Sequence, residues 1–164
     1  MINDFDPIYI PESTKIRIRE EFYLKFCNQV QKGENRSERE VFSTDWQRFL
    51  WAFILGINEG KRTPFKKGEK TYTPFGFDVF KNKQKMLRLI IGLTLQELYK
   101  DNTNKLKEDF ETAETEGRNF GTNIKLAMEE FANTGFAKMI YKTSTIPGYI
   151  ESMEEIVADI LDKE

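Results

Sequence analysis

The carboxylate pairs Glu111-x-x-Glu114 and Glu151-x-x-Glu154 have spacing that could do chemistry. Residues three apart share one face of a helix, where paired carboxylates can hold magnesium against a phosphate. All-α magnesium-dependent nucleotide pyrophosphohydrolases use this device, with Glu-x-x-Glu on one helix and Glu-x-x-Asp on another. Neither pair here is followed by Glu-x-x-Asp, and Glu155 to Asp159 has the wrong spacing. Residues Glu108 to Glu116 therefore read as a solvated acidic face, and such a hydrolase is the least favoured alternative.

Other catalytic classes lose their essential groups. The chain has no histidine, which excludes His triads, His bases and His metal ligands. Cys27 is the sole cysteine, so no disulfide within the chain and no Cys-type zinc site can form; it is expected to be a buried thiol in an apolar stretch. No Walker A or Rossmann glycine pattern is present. Gly117 and Gly121 read as helix caps. No catalytic residue, cofactor or metal is expected.

The cations carry the stronger signal. Net charge is −2, but residues 61–88 hold nine basic groups (Lys61, Arg62, Lys66, Lys67, Lys70, Lys81, Lys83, Lys85 and Arg88) against Glu69 and Asp78, a local charge of +7. The flanks carry −2 over residues 1–60 and −7 over residues 89–164. Such asymmetry is an electrostatic statement about partners. Phe65, Tyr72, Phe75 and Phe77 are interleaved with the cations. Cations beside aromatic rings suit a phosphate backbone and base stacking, and a helix N-terminus adds backbone donors for an anion. The same residues also fit a protein interface, pairing between copies of the chain, or plain solvation with the rings capping a core.

The elements that must position these groups read as helices. At 164 residues, 39% apolar and 32% charged, the composition is that of one globular domain spanning residues 1–164. Its fourteen phenylalanines can build a large core. The first residues lack a basic and an apolar region, so no secretory signal is expected. The run Phe49 to Ile57 is too short to span a bilayer. A cytoplasmic address is expected. Ile18, Phe22, Phe26 and Val30, each four apart, predict a helix over 12–31. A polar loop at 33–37 follows, with Ser37/Glu40 or Thr44/Gln47 able to form a capping box. A helix over 44–58, apolar on nearly every side, should be the buried centre. Residues 61–77 form a loop with room for a short hairpin around Lys67-Gly68. Asp78 is expected to N-cap a helix to about residue 100. Further helices are expected over 104–116, 119–133 and 136–142, and one opened by Pro147 with Ile150, Met153, Val157 and Leu161 on one face. The fold class is thus all-α, an irregular bundle of five to seven helices.

Three stretches also carry a family likeness. Residues 46–65 read WQRFLWAFILGINEGKRTPF, residues 77–91 FDVFKNKQKMLRLII, and residues 130–136 EFANTGF. In this order they resemble the small accessory proteins encoded beside bacterial DNA phosphorothioation (Dnd) gene clusters, with related proteins in other anti-phage loci. The likeness spans roughly 44–140. The matching positions are Gly56, Gly60, Lys61, Arg62, Phe80, Ala132, Asn133 and Gly135; Ala-Asn-Thr-Gly departs from the Ala-Asn-Gly-Gly of the pattern. The resemblance implies a role in DNA modification or restriction-type defence and brings no established catalytic residue. Gly56 should permit close helix packing, Gly60 a C-cap, and Asn133 to Gly135 a turn, leaving Lys61 and Arg62 as side chains able to meet DNA directly. The expectation is a non-catalytic accessory protein that contacts DNA, or a DNA-modification or restriction protein, through residues 61–88. The alternative is an adaptor or homo-oligomer without nucleic-acid binding.

Overall fold

The computed structural model describes residues 6–27 and 44–145. The loop at 33–37, the Ser37/Glu40 cap, the helix after Pro147 and the side chain of Cys27 lie outside the described residues.

The chain begins with a strand, which corrects the all-α reading. Lys15-Ile-Arg-Ile-Arg19 alternates polar and apolar residues, the period of a half-buried strand, and forms β1 (Lys15–Arg19) with Ile16 and Ile18 buried. It pairs antiparallel with β2 (Thr71–Gly76), from Lys15 opposite Gly76 to Arg19 opposite Thr71, with an irregularity between Ile16 and Ile18. The fold is therefore mostly helical with a small two-stranded sheet. Of the described part of the expected 12–31 helix, only Glu20–Cys27 is helical: α1 (Glu20–Phe22) runs into a π-helical turn, Tyr23–Cys27. The expected hairpin is not formed within the 61–77 loop, because β2 finds its partner at β1, over fifty residues upstream in sequence. What remains at Lys67-Gly68 is a tight turn. The Glu69 N–H donates to the Lys66 carbonyl, and Gly68 takes φ +76°, a conformation in which a Cβ is strained.

Helix α2 (Asp45–Glu59) matches the expected 44–58 span. At its start the Thr44 N–H donates to Gln47 Oε1 at 3.2 Å, and Gly60 ends it in the left-handed region. Asp78 does not cap the next long helix. Phe77–Phe80 make a 3-10 turn whose first two N–H groups donate to the carbonyls of Thr14 and Glu12, and α3 (Gln84–Tyr99) starts later. The loop before it is thus tied to the N-terminal segment rather than wound into the helix. Helix α4 (Thr103–Glu116) is capped by the Asn102 side chain, which accepts from the Lys105 N–H, and is closed by Gly117 at φ 63°.

The expected break at Asn133–Gly135 is absent. Residues Gly121–Thr145 form one continuous helix, α5. Gly135 is there for proximity, not for a turn: a Cβ on it would sit 1.7 Å from the Ala52 carbonyl oxygen of α2. One on Gly56 would sit 1.9 Å from the Phe131 carbonyl oxygen of α5. The two helices cross backbone to backbone, and they are antiparallel, since 52 faces 135 and 56 faces 131. α3 runs parallel to α2: its start lies by Trp46, whose ring meets Phe80 and Lys83, and its end lies by Gly60. Around this frame pack Phe22 and Phe26 on Phe136, Phe53 on Phe131 and Phe49 on Phe75. The buried centre is α5 rather than α2. Residues 127–133 of α5 are buried on every side, whereas Ile54 of α2 is 43% exposed. Among the described residues no helix is long and apolar enough to cross a membrane.

Candidate functional surface

A polar network inside α5 fixes the segment that carries the cations. Glu129 is fully buried, where a carboxylate persists only if paired and hydrogen-bonded. It accepts from the Arg17 backbone N–H at 2.7 Å and from Arg17 Nε and Nη2 at 3.1 and 2.7 Å, and Lys125 Nζ lies 2.8 Å away. Its neighbour Glu130 accepts from Arg62 Nη1 at 3.2 Å. The Asn133 amide donates to the Thr63 carbonyl at 3.1 Å, the Thr63 and Thr134 hydroxyls share a hydrogen bond at 2.8 Å, and the Thr63 N–H donates to the Glu130 carbonyl. Buried Arg19 donates to the Pro64 carbonyl at 2.7 Å and pairs with Glu69 at 3.2 Å. The guanidinium of Arg17 lies over the Phe65 ring at 4.3 Å. Every residue from Arg62 to Phe65 is thus held by α5 or β1. The stretches Gly-Lys-Arg-Thr-Pro and Glu-Phe-Ala-Asn-Thr-Gly, distant in sequence, are two halves of one buried joint.

The nine expected binding cations are all exposed. Among the described residues, Arg62 pairs with Glu130, while the other eight make no ion pair; Lys83 caps the Trp46 ring at 5.4 Å. They do not form one cluster. Lys61, Arg62, Lys66, Lys67 and Lys70 precede β2, whereas Lys81, Lys83, Lys85 and Arg88 lie at the start of α3, beside Trp46. The six residues of β2 separate these groups by about 20 Å at the usual rise per residue. The first group stands on the anchored 61–70 loop. The second stands on α3 among exposed Met86 and Leu89.

The aromatic residues expected to support binding divide three ways. Tyr72 is 40% exposed and stacks on Tyr23 at 4.5 Å. Phe65 is half-buried with one face under Arg17. Phe75 is a core residue against Phe49, and its burial excludes it from a base-stacking role. Phe77 is buried as well. The acidic pattern behaves as a solvated face: Glu108, Glu111, Glu114 and Glu116 are exposed, and Glu111 pairs with Lys107 at 3.7 Å. Glu151 and Glu154 lie outside the described residues.

One cleft has no signal in the sequence. About 360 Å³ lies between the end of α3, the start of α4 and α5, lined by Arg62, Leu98, Asn102, Lys105, Asp109 and Leu126 among others. At its wall the Tyr99 hydroxyl donates to Asp109 Oδ2 at 2.8 Å. Burial, then that hydrogen bond and the carboxylate charge, push the phenol up to about 12. At the start of α2, burial raises the Asp45 carboxyl above its usual range, partly offset by Arg48 at 3.7 Å.

No curated protein and no solved structure matches the chain. The family model for DNA sulphur modification system-associated protein 4 matches residues 25–163. That span takes in α2 to α5, both cation groups and both halves of the joint, while β1 with Arg17 and Arg19 precedes it. The chain belongs to the family of DNA sulphur modification system-associated protein 4.

Proposed function

We infer that the chain is a non-catalytic accessory of a DNA sulphur modification system and engages polyanionic DNA through the cations of residues 61–88. The observation that carries this reading is the state of those cations. Eight are exposed and free of ion pairs among the described residues, and residues 62–64 of the segment are fixed by part-buried hydrogen bonds. A loop already held in place loses less freedom when its cations meet a phosphate. Family membership supports the setting. The separation into two groups suits contacts on either side of a duplex groove, since the major groove is about 12 Å wide.

Binding of a labelled duplex across a salt series tests this. The expected result is affinity falling linearly with salt on logarithmic axes, by about 0.9 per phosphate neutralised. Charge reversal at Lys61, Lys66, Lys67 and Lys70 should flatten that slope. Affinity indifferent to salt, or to these substitutions, rejects DNA as the partner. The second reading, docking to a partner enzyme of the same system, rests on Met86 and Leu89 lying exposed within the second cation group. Co-purification that survives charge reversal in the 61–70 group but is lost on Leu89→Asp favours it.

A further inference from the structure

The cleft between α3, α4 and α5 gathers opposite charges that do not meet. Lys105 and Asp109 are four apart on α4, a spacing at which an ammonium and a carboxylate ordinarily pair. Here Asp109 Oδ2 accepts from the Tyr99 hydroxyl instead. The phenol keeps its proton through neutral pH, so this bond persists. Among the described residues, Asp109 Oδ1 and Lys105 Nζ are left with no hydrogen bond or ion pair. Arg62 is similar: Nη1 donates to Glu130, while Nε and Nη2 have no acceptor among the described residues. The exposed Asn123 amide has no partner there either.

Leu98 and Leu126 supply the apolar lining, and Leu126 is 37% exposed. A volume of about 360 Å³ is near the lower end of small-molecule sites, roughly 300–1,000 Å³. That is room for one base with its sugar and phosphate, and not for a base pair. A ligand that satisfies these walls needs an anion for Arg62 and Lys105, a flat ring for the leucines, and N–H donors for Asp109. One nucleotide whose base carries an amino group has all three. Charge-assisted bonds to the phosphate would fix its place, and the base edge would give selectivity. Arg62 also belongs to the first cation group, so a phosphate seated here lies beside Lys61.

We propose that this cleft binds a single nucleoside monophosphate unit, with its phosphate on Arg62 and Lys105, its base against Leu98 and Leu126, and the base amino group donating to Asp109 and Asn123. The unit has two sources, a free nucleotide or an unpaired nucleotide of a DNA strand. A base inside a duplex enters only by leaving its stack. The site stands whether or not the Lys61–Lys70 group meets a duplex.

Titration of the full-length, heavy-nitrogen-labelled chain with deoxyadenosine monophosphate, followed by amide NMR, tests this. The expected result is saturable shifts at Lys105, Asp109 and the Asn123 side-chain amide. Adenosine, inorganic phosphate and deoxythymidine monophosphate, each lacking one of the three features, should bind more weakly. Lys105→Glu should weaken the nucleotide about tenfold or more. Lys107→Glu makes the same change of charge on the same helix, at an exposed residue outside the cleft, and should leave affinity nearly unchanged. The spectra themselves report that each variant is folded. Competition then assigns the source. A duplex with one unpaired adenosine displaces the nucleotide better than the same duplex fully paired if the unit belongs to a strand, and no better if it is free. No saturable binding, equal binding of inorganic phosphate, adenosine or deoxythymidine monophosphate, or indifference to Lys105→Glu would overturn the proposal. Salt-dependent duplex binding without nucleotide binding removes this site and leaves the DNA surface standing.

Discussion

Glu129 shows how far a residue's role depends on what surrounds it. In sequence it is one of fifteen carboxylates after residue 88 and looks no different from Glu111. In the fold it is fully buried and held by Arg17 and Lys125. Removing one partner of a buried pair strands the other, so Glu129→Ala should cost about 3–5 kcal/mol in urea denaturation. Glu111→Ala, on an exposed pair, should cost under about 1 kcal/mol. Gly135→Ala forces a methyl onto the Ala52 carbonyl and should cost at least about 1–3 kcal/mol by the same measurement. Tyr99 gives a pH signature. Its folded pKa, raised to about 12 from 10.0, means its contribution to stability is complete below pH 10.0 and lost as pH rises through 12. The stability difference between the native chain and Tyr99→Phe should therefore shrink in that window. In an ultraviolet titration, Asp109→Asn should bring this phenol part of the way back toward 10.0, since burial remains.

At the scale of elements, burial and hydrogen bonding override periodicity twice. The expected 12–31 helix rests on apolar residues four apart, but Lys15 to Arg19 also alternates with period two, and that signal is present in the sequence. It prevails because Thr71–Gly76 offers a partner strand that no local pattern of residues 12–31 contains. The reading of α5 as two pieces rests on Asn133, Thr134 and Gly135 as turn residues. Their reasons lie across the molecule: Asn133 holds the Thr63 carbonyl, and Gly135 clears the Ala52 backbone. Asn133→Ala should leave that carbonyl poorly paired, cost about 1–3 kcal/mol, and speed amide hydrogen exchange in residues 61–65 relative to α4. Where local chemistry decides, sequence and structure agree. The Gly60 and Gly117 caps are left-handed as expected. Gly117 has open space around it, so Gly117→Ala should cost about 1 kcal/mol from backbone strain alone.

For the whole molecule, the uneven charge of the sequence becomes two exposed cation groups about 20 Å apart on either side of β2. Their separation, and the company each keeps, follow from the strand pairing and from α3 lying parallel to α2. Neither is written in residues 61–88 themselves. If both groups touch DNA, charge reversal in either should flatten the salt dependence by about 0.9 for each phosphate no longer neutralised.

The mostly helical character, the spans of α2 and α4, the glycine caps, the charge asymmetry and the family likeness are all legible from the residues alone. Each of these depends on residue type or on neighbours within a turn or two. Folding in three dimensions was needed to make residues 15–19 a strand, to leave α5 unbroken and central, to bury Phe75 in the core, and to set Glu129, Glu130 and Asn133 as pins for the loop bearing Lys61 and Arg62. Each of those depends on contacts between residues far apart in the chain, where one group's burial is set by another's position.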